Sequence, residues 1–177
     1  MSVVAVFGSS SVQQGHPAYA AGVDLGAGLA RAGHSVMTGG YAGMMEAVSR
    51  GAREQGGEVI GVTAPAVFPD RSGPNPYVTL ELAATTLGER IDTLIERADG
   101  FVVMEPSLGT LAELMVAWSV AHVAASSGRP RKPIAAVGPT WAELIAFLSH
   151  RLGANASYVS CVASTEEAVE LMGGPST

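Results

Sequence analysis

The sequence predicts an α/β fold: a single doubly wound domain over residues 1–177, with a mostly parallel sheet of about six or seven strands and helices on both faces. Three observations predict it. Short apolar runs, rich in β-branched residues, alternate from end to end with longer helix-like segments. The runs are apolar throughout, as strands covered on both faces are, and show no wet face. Small residues and turn formers follow several of these runs, where an open sheet of this kind places its ligand loops.

The elements follow in order. Val3–Phe7 is a strand ending at Gly8, and Pro17 to Ala32 a helix closed by Gly33. Ser35–Thr38 is a second strand, Gly43 to Gln55 a helix stopped by Gly56-Gly57, and Val59–Thr63 a third strand. Pro65 to Pro76 mixes Pro, Gly, Asp and Asn and reads as a loop, long enough to be a lid or binding loop. Val78–Leu82 is a short strand or an irregular piece, and Leu87 to Ala98 a helix with Ile91, Leu94 and Ile95 on one face. Phe101–Met104 and Pro133–Val137 are strands, followed by helices over Thr110 to Ala125 and Thr140 to Arg151, the latter capped by Thr140. Tyr158–Val162 is the last strand, Thr165 to Met172 the last helix, and Gly173 to Thr177 a frayed tail. Ligand loops are therefore expected at Gly8–Gly15, Gly39–Gly43 and Glu105–Thr110.

Composition narrows the function. The chain is 47% hydrophobic and 15% charged, which excludes a disordered chain. A net charge of −6 excludes the basic stripe of a nucleic-acid binder. The local cluster Arg129, Arg131 and Lys132 reads as a solvated loop before a strand. Cys161, the one cysteine, lies in an apolar run and is expected as a buried core thiol, so no internal disulfide forms. His16, His34, His122 and His150 show no metal-ligand spacing, and no metal site is expected. The N-terminus shows no basic leader or cleavage site, and the longest apolar stretch, Leu111 to Ala125, contains Glu113 and His122 and is short for a bilayer. A cytoplasmic protein without a membrane partner is the expectation.

Three loops carry the chemistry. Gly8-Ser9-Ser10-Ser11 has the small residues and hydroxyls that suit an anion, or simply a tight turn; it lacks Gly-x-Gly-x-x-Gly, so a dinucleotide cofactor is not expected. Gly39-Gly40-Tyr41-Ala42-Gly43 allows positive φ and opens a helix whose N-terminus suits an anion, with turn-making the plain alternative. Glu46 in that helix's first turn favours the helix dipole. In Glu105-Pro106-Ser107-Leu108-Gly109-Thr110-Leu111-Ala112-Glu113 a strand turns into a helix. There Thr110 and Glu113 are either a capping pair or a ligand site. The following helix is apolar nearly all round, through Leu111, Leu114, Met115, Trp118, Val120 and Val123, as a buried or subunit-shared helix is.

These residues resemble the LOG family of nucleotide phosphoribohydrolases, once labelled lysine decarboxylases and related to molybdenum-cofactor carriers. The match runs through Phe7-Gly8-Ser9-Ser10, Gly39-Gly40-Tyr41-Ala42-Gly43-Met44-Met45, Gly61-Val62-Thr63-Ala64-Pro65, Arg90, Ala98-Asp99-Gly100-Phe101-Val102 and Gly109-Thr110-Leu111-Ala112-Glu113, over about two thirds of the chain. The resemblance implies a Rossmann-like domain that binds a small-molecule nucleotide ligand without a further cofactor. Arg90 and Glu113 are then the catalytic pair, and the reaction cleaves the N-glycosidic bond of a nucleoside 5′-monophosphate, of the cytokinin riboside 5′-monophosphate type, to free base and ribose 5-phosphate. Gly8, Ser9, Ser10, Gly39, Gly40, Gly43, Ser107, Gly109 and Thr110 would bind substrate and phosphate. In such chemistry a carboxylate stabilises the oxocarbenium-like state and an arginine clamps phosphate or ribose. The resemblance also implies a homodimer through the helix near residues 110–125.

The old decarboxylase label fails on the residues: a pyridoxal phosphate enzyme needs an internal lysine, and the one lysine, Lys132, stands beside Pro133 at a strand entrance. Two stretches depart from the family's Pro-Gly-Gly-x-Gly-Thr-x-x-Glu motif and its upstream Arg-Lys pair. Ile91 follows Arg90, and Glu105-Pro106-Ser107 stands for Pro-Gly-Gly when the separation of Arg90 and Glu113 is kept, the preferred alignment; a one-residue deletion would instead align Pro106 with the family's proline. Pro106 has no N–H to offer a phosphate. A Glu105 carboxylate about 4 Å from a phosphate would cost about 1 kcal/mol in water-like surroundings and about 4 at an effective dielectric near 20. Glu105 therefore points away or alters phosphate binding. A non-catalytic nucleotide or molybdenum-cofactor binding or carrier protein, and a regulatory dimer with a degenerate site, are the alternatives.

Overall fold

The computed structural model describes residues 2–173, so the tail expected after Gly173 lies outside the described residues. The chain runs β1 (Val3–Phe7), α1 (Pro17–Arg31), β2 (Ser35–Thr38), α2 (Met44–Glu54), β3 (Val59–Thr63), β4 (Leu80–Ala83) and α3 (Leu87–Arg97). It continues through β5 (Gly100–Val103), α4 (Leu108–Ser126), β6 (Ile134–Val137), α5 (Pro139–Leu152), a 3-10 turn (Ala156–Tyr158), β7 (Ser160–Val162) and α6 (Thr165–Met172).

The seven strands form one sheet in the order β4-β3-β2-β1-β5-β6-β7, and every pairing is parallel. Successive side chains of a strand face opposite layers, and both layers here are covered. Ala5 and Phe7 of β1 enter one core with Phe101, Leu94, Leu114, Trp118 and Trp141, beneath α3, α4 and α5. Val4 and Val6 enter the other with Leu25, Leu29, Met44 and Val48, beneath α1 and α2. Phe7 and Phe101 stack across the β1–β5 pairing with ring centroids 5.7 Å apart. The strand order reverses at that pairing, so the loops after β1 and β5 leave the sheet in opposite directions and open a crevice.

Several element ends differ from the sequence reading. Helix α4 starts at Leu108 and is capped by Ser107, whose hydroxyl accepts the Thr110 N–H at 3.1 Å; Thr110 is inside the helix. Helix α5 starts at Pro139 with Gly138 before it, so Thr140 caps nothing: proline presets the first helical φ and needs no N–H. The final strand begins at Ser160, because Tyr158 closes the 3-10 turn. Cys161 is exposed, since β7 is an edge strand with one side open. Helix α4 has 19 residues and is, by length and composition alone, long and apolar enough to cross a membrane, unlike the shorter stretch read from sequence. It lies on the sheet, with Leu114, Ala117, Trp118 and Ala121 in the core. Lys132, in the loop before β6, donates to the carbonyls of Ile95 and Glu96 at 2.9 and 3.0 Å and closes the end of α3.

Candidate functional site

The crevice at the β1–β5 switch holds a cavity of about 460 Å³. The loop after β1 contributes Gly8 and Ser10, the turn after β2 contributes Gly39, and α3 contributes Leu87, Arg90 and Ile91. The loop after β5 and the start of α4 contribute Ser107, Leu108, Gly109, Thr110, Ala112 and Glu113. Eight of the eleven residues singled out from the sequence therefore meet here: Gly8, Ser10, Gly39, Arg90, Ser107, Gly109, Thr110 and Glu113.

Ser9, Gly40 and Gly43 do not line it. Ser9 turns its buried hydroxyl to Ser11, 2.7 Å away, and faces a second depression. Gly40, at φ +77°, gives its carbonyl to Asn75. Gly43 precedes α2 at φ +75°, where an added Cβ would stand 2.5 Å from the Ser10 backbone, so glycine is required for packing rather than for ligand contact. The first amide of α2 is also spent, on the Ser9 carbonyl at 3.0 Å. Glu46 accepts from Gln14 and from the Tyr19 hydroxyl, each at 2.9 Å, so its role is to tie the β1 loop to α2.

Arg90 and Glu113 form the floor. Both are buried, and Arg90 Nη1 lies 3.4 Å from Glu113 Oε1. Arg90 is fixed from the sheet side: Nε donates to the Val62 carbonyl at 2.8 Å and Nη2 to the Gly39 carbonyl at 3.2 Å. An added Cβ on Gly39 would come within 1.8 Å of Nη2, so glycine there makes room for the guanidinium. Two of its five N–H donors are thus held by backbone carbonyls and a third faces Glu113. Burial pushes the Glu113 carboxyl up to about 7, and the Arg90 guanidinium offsets only part of that rise. Burial also lowers the Arg90 pKa, with Glu113 opposing, yet a guanidinium stays protonated at any ordinary pH.

Glu113 sits in the second turn of α4 and Thr110 in its first, so the two are not a capping pair. The Thr110 hydroxyl is 2.8 Å from that of Ser107. Glu105 is exposed and faces the depressions on the other side of the loop, away from the Arg90–Glu113 cavity.

Sequence reading missed Phe68 and Arg71, from the loop 64–79, which also line the cavity. Tyr41 and Phe68 meet edge to face at 5.7 Å. The loop's length was the one signal available, and it does not say which side chains turn inward. Among the described residues, no three His, Cys, Asp or Glu side chains gather as metal ligands.

Fold and site together define a Rossmann-like α/β protein whose cavity lies at the topological switch point. The chain belongs to the SLOG cluster4 family, which it matches over residues 1–134. It is similar to the cytokinin riboside 5′-monophosphate phosphoribohydrolase of Mycobacterium tuberculosis, with 33% identity over 117 residues, 66% of this chain and 60% of that protein. The chain thus aligns with less than two thirds of that relative. Among solved structures, the molybdenum cofactor binding protein of the phototrophic bacterium Rippkaea orientalis is similar at a TM-score of 0.75 and 22% identity, covering 97% of this chain and 94% of that one. The molybdenum cofactor carrier protein of Chlamydomonas reinhardtii is similar at 0.74 and 22% identity, over 96% and 94%. At that identity the likeness is one of fold.

Proposed function

We propose that this chain is a hydrolase that cleaves the N-glycosidic bond of a nucleoside 5′-monophosphate to free base and ribose 5-phosphate. The observation that carries the reading is the buried Glu113 carboxyl, held near neutrality beside Arg90 in a cavity of about 460 Å³. The name and partial identity of the mycobacterial relative support it.

A carboxyl that titrates near 7 can take and return a proton at working pH. Water attacks C1′ as the bond from C1′ to the base nitrogen breaks. Ionised Glu113 takes one proton from the water, and the leaving base, which keeps the bonding electron pair, takes up one proton from Glu113 directly or through solvent, so Glu113 returns to its ionised form. In its ionised form Glu113 also faces the positive charge that develops on the sugar. Arg90 acts through Glu113, as a positioning residue held by the Val62 and Gly39 carbonyls. The amides of Leu108 and Gly109, at the start of α4, suit the phosphate. Leu87 and Leu108, 47% and 84% exposed, form an apolar mouth. We read the protein as a cytoplasmic homodimer that buries the outer face of α4 and has neither nucleic acid nor membrane as partner.

The test is a panel of nucleoside 5′-monophosphates followed for released base. The two solved structures favour a second reading, a non-catalytic nucleotide or molybdenum-cofactor binding or carrier protein. That reading holds if no monophosphate is cleaved and one of them raises the melting temperature.

A further inference from the structure

The loop 64–79 is strapped to the turn after β2 at both ends. The Ala64 N–H donates to the Tyr41 hydroxyl at 2.8 Å. Near the other end, the Asn75 backbone N–H donates to the Gly40 carbonyl at 2.7 Å, and its side-chain amide donates to the Gly40 and Tyr41 carbonyls at 3.1 and 3.0 Å. Between these anchors the Arg71 N–H closes a turn on the Phe68 carbonyl at 3.1 Å. The Arg71 guanidinium carbon then lies 4.5 Å from the Tyr41 ring centroid and 4.1 Å from that of Phe68. Two aromatic faces order a long, otherwise mobile side chain on the cavity wall.

Charge is left over at this wall. Arg71 has no ion pair and no side-chain hydrogen bond among the described residues, whereas Arg90 is committed to Val62, Gly39 and Glu113. The cavity lining carries two guanidinium groups and a single acid, Glu113, already shared with Arg90. A guanidinium stacked on rings still presents its N–H edge, the fork that fits a phosphate oxygen pair. Simple packing on aromatics would account for the stacking, but not for an unmatched charge on the wall of a cavity.

We propose that Arg71 is the cation that receives the phosphate of the ligand, with Tyr41 and Phe68 as its platform. This rests on the nucleotide reading above and adds to it the residue that recognises the anionic end.

The test compares binding of ribose 5-phosphate, adenosine 5′-monophosphate and adenosine by calorimetry. It is run in the Glu113→Gln background, where nucleotide stays intact, with and without Arg71→Ala, melting curves confirming the fold. Removing Arg71 is expected to weaken both phosphorylated probes about ten- to hundredfold and adenosine less than about twofold, with Arg71→Lys in between. Three results each overturn the proposal: phosphorylated probes that bind equally well without Arg71, adenosine weakened by the same factor, or no binding of either phosphorylated probe while Arg71 is present. Base release by the native chain is read separately. Release with binding indifferent to Arg71 removes this proposal and keeps the hydrolase. Arg71-dependent binding without release keeps this proposal and removes the hydrolase.

Discussion

Glu113 Oε1 lies 3.4 Å from Nη1 of Arg90, and the carboxyl still titrates near 7. Burial outweighs the cation, and the guanidinium is divided among acceptors: the Val62 and Gly39 carbonyls hold two of its nitrogens. The pair is therefore no tight bidentate fork. One partner is pinned by the sheet, and the other, on the helix, keeps a labile proton.

That proton makes stability depend on pH. Glu113 has an ordinary pKa of 4.5 and a folded value of about 7, so between these limits the folded chain holds a proton that the unfolded chain has lost. Its contribution is fully present below about pH 4.5 and is lost as pH rises through 7, a change of about 3 kcal/mol. Urea unfolding at pH 5 and pH 8 checks this. The native chain should lose about 2–3 kcal/mol relative to Glu113→Gln across that interval.

Arg90 should matter to the fold as well as to the site. Arg90→Ala strips donors from two backbone carbonyls and leaves a buried acid without its cation, for an expected loss of about 3–5 kcal/mol. Arg90→Lys keeps the charge but cannot reach Val62, Gly39 and Glu113 together, so it should recover only part of that loss. Denaturation of both variants and the native chain at pH 8, where the native Glu113 is mostly ionised, measures it.

Gly39→Ala tests the same geometry from the sheet side. The new Cβ would stand 1.8 Å from Arg90 Nη2 and 2.6 Å from Met45 Sδ, so the guanidinium must shift. A loss of about 1–3 kcal/mol is expected, together with loss of base release, checked by melting and by turnover on one preparation.

Much of this arrangement can be read from the chain alone, for a physical reason. Val3–Phe7, Ser35–Thr38 and Val59–Thr63 are buried on both faces, so their apolar runs mark them as parallel strands whatever lies around them. Strand β4, Leu80–Ala83, is mostly exposed at the sheet edge, and its Leu-Glu-Leu-Ala sequence carries little strand signal. The cap of α4 was misplaced because Ser107 and Thr110 are both good caps, and only the backbone, extended at Ser107, decides between them. Arg90 and Glu113 could be paired by resemblance, but not the carbonyls that immobilise Arg90, which come from two other strand ends. Arg71 was invisible for a similar reason: its direction depends on Asn75 and Tyr41, at either side of the strap.

Association can be tested on the outer face of α4, where Val120 and Val123 are 43% and 55% exposed. Native protein at micromolar concentration should sediment as a dimer. Val120→Glu with Val123→Glu should sediment as a monomer, the added charges being costly to bury.

The most direct measurement follows adenine release from adenosine 5′-monophosphate and its relatives at pH 7, by the native chain and by Glu113→Gln. The account predicts release by the native chain and a loss of at least about a hundredfold in the variant, which cannot take up the proton. Release at native rates by folded Glu113→Gln would contradict it.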